Sequence, residues 1–180
     1  MLLPIHRFEG EVWQALAMDK IGTTAVTDLT GTRNWEELLI QGAQEVFEMM
    51  IGIPLRRRAD NEQAPGKLTA VIGLAGPLTG VFAIRCDEKT AIGITRGMLG
   101  VDESEARSEM WDAMGEVCNM VVGNFKGKVG AAGELSVLSV PSVIHGHDYR
   151  VRPLINGSCV ECCLETADGV LRCRLDYRLM

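Results

Sequence analysis

Apolar positions recur at helical spacing in two long stretches of this chain. The first opens at Asn34, with Glu37 three residues on in capping-box position, and runs through "WEELLIQGAQEVFEMMIG". The second opens near Asp102, with Glu105 in the matching place, and runs through "SEARSEMWDAMGEVCNMVVG". A shorter helical piece, "EKTAIGITRGML", precedes it. Between the long helices, "KLTAVIGLA" and "GVFAIRC" read as strands. After the second helix come "ELSVLSV", "SVIHG" and a hairpin turning at Asp168-Gly169. The glycines of "GNFKGKVG" at 123–130 are read as ending the second helix. The pattern predicts an α+β fold: two long helices side by side on one face of a largely antiparallel sheet. Their apolar stripes, including Val46 and Val117, should point into that sheet.

The two halves echo each other. Aligning "QEVFEMMIG" with "GEVCNMVVG" sets Glu45 against Glu116, Val46 against Val117, Met49 against Met120 and Gly52 against Gly123. "GKLT" at 66–69 then echoes "GELS" at 133–136. This predicts two pseudo-symmetric helix–strand–strand halves. One position breaks the echo: Asn119 in the second copy stands against Glu48 in the first.

The second helix carries an unusual polar line. At 100° per residue, Asp112, Glu116, Asn119 and Gly123 fall within an arc of roughly 60°. Met110, Met114, Val117, Val121 and Phe125 gather on the opposite side. A solvated helix face usually mixes Lys with Glu in i,i+4 pairs, yet residues 110–125 contain neither lysine nor arginine. Uncompensated acids beside an amide, with Gly123 giving close access, fit a surface meant for a partner.

Composition narrows the field. The 180 residues allow one domain with a substantial core, preceded by an extension at 1–33 of unknown role; the domain is placed at 34–180. A net charge of −6 and a pI near 5.1 argue against nucleic-acid binding, which calls for a basic face. The short run Arg56-Arg57-Arg58 is read as solvated strand or loop. "MLLPIHRFEGEV" does not read as a signal peptide, and the most apolar stretch, 68–84, is broken by glycines and a proline. A cytoplasmic protein without membrane insertion is expected, its six cysteines reduced.

Metal and phosphate motifs are weak. "CVECC" at 159–163 lacks a second matched ligand pair, and on a strand Cys159 and Cys162 would diverge to opposite faces. "HGH" at 145–147 has no third ligand nearby. "GNFKGKVG" lacks the spacing and hydroxyl of a phosphate loop. No metal or cofactor of its own is expected.

The combination Asp112, Glu116-x-x-Asn119 and, some twenty residues on, "LSVPSVIHG" with Pro141 resembles the CheC/CheX family of chemotaxis phosphatases, CheX more closely, over roughly residues 35–177. Glu45-x-x-Glu48 then looks like a degenerate copy lacking the carboxamide. The resemblance implies a substrate, the phosphoaspartate of a CheY-like response regulator, whose own Mg²⁺ lies beside the phosphate. It implies that Asn119 orients the attacking water and that Glu116 docks on the regulator's active-site lysine. Asp112 and Gly123 are expected to shape the approach, and a homodimer is favoured. The rival reading is a non-catalytic response-regulator or flagellar-switch binding module of the same fold.

Overall fold

The computed structural model describes residues 35–58 and 66–180. The extension at 1–33 and the Asn34 cap position lie outside the described residues. In chain order the elements are helix α1 (Trp35–Val46) with a π turn (Phe47–Ile51), β1 (Arg56–Arg57), β2 (Leu68–Ala75) and β3 (Leu78–Cys86). Helices α2 (Glu88–Leu99), α3 (Glu103–Lys128) and α4 (Ala131–Glu134) follow, then β4 (Val137–Leu138), β5 (Ser142–His145), β6 (Ser158–Glu165) and β7 (Val170–Leu179). All strands join one seven-stranded sheet in the order β1-β6-β7-β3-β2-β4, with β5 also on β2, and every pairing is antiparallel.

Strand periodicity builds the core. On β2 the residues Leu68, Ala70, Ile72 and Leu74 are buried, and on β3 Phe82 and Ile84 are, while Val71, Val81 and Ala83 between them are only half-buried. Residues two apart share a face, so the buried set is the face the helices cover. Met110, Met114, Val117, Val121 and Phe125 of α3 are buried against it, as the wheel predicts, and so is Val46 of α1. Burying a side chain of this size contributes roughly 1.5–3 kcal/mol. Cys118 of α3 points its thiol at the Ala70 carbonyl of β2, 3.6 Å away, which places this helix directly on the sheet.

The sheet order carries the internal repeat. The β2–β3 hairpin and the β6–β7 hairpin meet at the central β3–β7 pair, and the short strands of each half pair with the other half's hairpin: β1 with β6, β4 and β5 with β2. The order is therefore symmetric about its centre. The "GKLT"/"GELS" echo is not part of this symmetry. Residues 66–69 lead into β2, whereas 133–136 span the end of α4 and a turn; the topological counterpart of β2 is β6. The second half spends more chain between its helix and its hairpin, so a constant offset fails there.

Helix ends also differ from the pattern. The glycines at 123 and 127 do not stop α3, which continues to Lys128. Tertiary contacts outweigh their low propensity: Phe125 is buried, Lys126 donates to the Ser136 carbonyl, and Lys128 pairs with Glu45 at 2.7 Å. The start is as expected, with Asp102 accepting from the Glu105 amide at 3.0 Å. Asp87 caps α2 in the same way, and Gly100 ends it in the left-handed region that favours glycine.

Candidate functional site

The 26-residue helix α3 holds the polar line. Asp112, Glu116 and Gly123 are exposed and Asn119 is half-buried, while the residues opposite them are in the core. A Cβ built on Gly123 would meet nothing within 4 Å, so its absence keeps the ridge low rather than easing internal packing. The charge pairs of α3 lie off this line: Arg107 bridges Glu88 and, at 3.4 Å, Glu103. Among the described residues neither Asp112 nor Glu116 forms an ion pair, and no hydrogen bond engages the Asn119 carboxamide. Two carboxylates and an amide therefore face outward with their bonding capacity unspent.

The loop leading into β5 closes one flank. A Cβ on Gly115 would lie 3.4 Å from Pro141 Cγ and 3.8 Å from Val143 Cγ2, so a glycine on α3 lets the proline ring come against the helix beside Glu116. One turn earlier, Trp111 packs on His145 of β5, with ring centroids 4.9 Å apart and planes tilted by 59°. Val140, next to Pro141, is 85% exposed. The ridge thus has an acidic and amide crest and an apolar shoulder. The sequence pattern assigns no role to Trp111 or Gly115. A glycine inside an apolar helical run, where it costs about 1 kcal/mol relative to alanine, is the signal that could have found the second.

The first copy is built differently. Glu45, aligned with Glu116, is taken up internally: it pairs with Lys128 at 2.7 Å and accepts from Asn124 Nδ2 at 3.1 Å. Those two bonds, Lys128 first, hold its carboxyl below the ordinary value. Beyond it the helix widens into the π turn Phe47–Ile51 and ends at Gly52 in the left-handed region. A π turn takes in an extra residue, which shifts the helical phase. Accordingly Met50, aligned with the fully buried Val121, is 63% exposed, whereas Ile51, aligned with the buried Val122, stays in the core. Glu48 sits within this turn, exposed, without the α-helical stagger to Glu45 that Glu116 and Asn119 share.

The thiols are structural in character. Cys162 and Cys173 face each other across β6 and β7 and are both buried, whereas Cys159, three residues from Cys162, is exposed. Burial pushes the Cys86 and Cys118 thiols up to about 12; Cys173 is raised by its hydrogen bond with Cys162 and by burial. Among the described residues no group of three or more His, Cys, Asp or Glu is placed to hold a metal ion. His145 is engaged with Trp111. No described helix is long and apolar enough to cross a membrane.

An antiparallel sheet with its long helices packed on one face is the architecture of CheC/CheX-type proteins. The family model "Chemotaxis phosphatase CheX" matches residues 68–164, and the chain belongs to that family. It is 28% identical over 91 residues to the CheY-P phosphatase CheX of Thermotoga maritima, a match covering 50% of this chain and 59% of that relative. A putative chemotaxis protein from Desulfovibrio vulgaris Hildenborough superposes with a TM-score of 0.70 at 26% identity, over 81% of this chain and 97% of its own. The fold is shared as well with the Borrelia burgdorferi structure described as a CheX-CheY-BeF3-Mg²⁺ complex, with a TM-score of 0.63 at 19% identity, over 80% and 97%.

Proposed function

We propose that this protein removes phosphate from the phosphoaspartate of a CheY-like response regulator, with the α3 ridge as its working surface. The observation that carries this reading is an outward-facing Glu116-x-x-Asn119 pair, engaged by no partner within the described residues, in a chain of the CheX family. An acyl phosphate beside its regulator's Mg²⁺ already has its charge partly neutralised, and what it lacks is a water held in line with phosphorus. A carboxamide suits that task, because it accepts from the water and donates to a phosphoryl oxygen without adding charge. Asn119 is assigned this role. Glu116 is assigned the pairing with the regulator's active-site lysine, and Asp112 and the open surface at Gly123 shape the approach. A carboxylate in place of the amide would repel the phosphoryl group, which fits the degenerate state of Glu48.

The chemistry uses a metal of the partner and none of this chain. The relative from Borrelia is described in complex with CheY, BeF3 and Mg²⁺, which supports the same type of partner here. The test is the rate of phosphate loss from the host's purified phosphorylated receiver domains, with the wild-type protein and with Glu116→Ala. One receiver should be dephosphorylated faster by the wild type. Glu116→Ala should need a much higher concentration for the same rate, because truncating one partner of an interfacial charge pair costs about 2–5 kcal/mol. A receiver that binds with no acceleration would instead identify a non-catalytic docking module.

A further inference from the structure

The sheet face away from the helices carries charge of the opposite sign to the ridge. Arg85 on β3 and Arg172 on β7 are direct partners in the antiparallel register, and Arg174 stands two residues along on the same face. Like charges directly opposite each other weaken a strand pair, so a merely solvated face gains nothing from this placement. Among the described residues, two acids lie against these side chains. Arg174 forms a two-pronged pair with Asp176, at 2.6 and 2.7 Å, and reaches Glu161 at 3.2 Å; Arg172 lies 3.4 Å from Glu161. Arg85 donates to the Gly66 carbonyl at 2.8 and 3.2 Å with its guanidinium over the Tyr149 ring, and the Tyr149 hydroxyl is held by Thr69 at 2.7 Å.

These contacts fix three guanidiniums in place before any ligand arrives. The chain after β5 then brings the exposed Arg150 and Arg152 to the same cleft, of about 350 Å³, whose walls also include Val81, Ala83, Val151 and Pro153. Among the described residues the cleft gathers five arginines beside Glu161 and Asp176, in a chain whose net charge is −6. Arginine forks match phosphate oxygens two at a time. Groups already held in position lose little freedom on binding, and the volume suits a small molecule.

We propose that this cleft binds a diphosphate group, carried either by a nucleotide whose base lies on the apolar wall or by free pyrophosphate. Calorimetric titration of the full chain with ADP, pyrophosphate and adenosine at low salt, without magnesium, tests it. ADP should bind, adenosine should not, and the affinity should fall as salt is raised. ADP binding more tightly than pyrophosphate assigns the site to a nucleotide; equal affinity assigns it to the inorganic ion. The doubly substituted R150E/R152E protein, altered only at exposed side chains, should fold as the wild type and bind at least tenfold more weakly. Asn119→Ala should bind like the wild type, because the cleft is independent of the ridge. Absence of binding by both phosphates, equal binding of adenosine, or unchanged affinity in R150E/R152E would overturn the proposal.

Discussion

Gly115 is the position where a small change separates helix stability from the shape of the site. It lies in the middle of α3, where glycine costs about 1 kcal/mol relative to alanine. A methyl group there would meet Pro141 Cγ at 3.4 Å, tight contact that a shift of a few tenths of an ångström relieves. Gly115→Ala should therefore be neutral to stabilising, by up to about 1 kcal/mol. Gly115→Leu recovers most of the same propensity but must place three further carbons against Pro141 and Val143, and overpacking of this kind costs about 1–3 kcal/mol. The two variants should differ by roughly 2 kcal/mol, or about 4–8 °C in Tm for a chain of this size. Because the leucine must push Pro141 away from the crest, phosphatase activity should drop with Leu and hold with Ala. Thermal unfolding followed by circular dichroism and a phosphoreceiver assay read the two effects separately. A leucine variant as stable and as active as the alanine variant would refute the argument that Gly115 seats the proline.

Other consequences follow from the same contacts. Glu48→Asn should restore an amide to the first copy without creating activity, because Glu45 is held by Lys128 and Asn124 and the π turn alters the stagger; N119A/E48N should therefore be no faster than Asn119→Ala alone. Glu45 has a lowered carboxyl pKa, so its pair with Lys128 contributes stability above the ordinary carboxylate value and loses it as pH falls through the folded value. Both side chains being solvent-accessible, Glu45→Gln should cost no more than about 1 kcal/mol at pH 7, a difference that urea titrations should find vanishing in acid. Of the six thiols, only the exposed Cys159 should react readily with a thiol reagent in the native protein, the remaining five appearing after denaturation; several fast thiols would show that the β6–β7 interior is open.

The parts of this structure legible in the sequence are those governed by local periodicity. The cap at Asp102 and the face of α3 follow from spacing alone, and so does the divergence of Cys159 from Cys162. What escaped was set by distant parts of the chain. Helix α3 runs past Gly123 and Gly127 because Phe125, Lys126 and Lys128 find partners in the core, on Ser136 and on Glu45. The π turn is invisible to helical spacing, so aligning the two segments sets Met50 against the buried Val121 although Met50 is exposed. The Trp111–His145 contact and the seat of Pro141 on Gly115 join residues some thirty apart in the chain. The arginine cleft depends on strand register, since Arg85 and Arg172 become neighbours only once β3 pairs with β7.

The central claim is that the Asn119 amide positions the attacking water, and one measurement tests it directly: the maximal rate of phosphate release from a saturating phosphorylated receiver, wild type against Asn119→Ala. An amide acting mainly in the transition state is worth about 10²–10³-fold in that rate. The variant should therefore lose activity on that scale while its affinity for the receiver, measured with a non-hydrolysable phosphate mimic, stays within a few-fold. Full activity in Asn119→Ala would contradict the account and leave the ridge as a docking surface without catalysis.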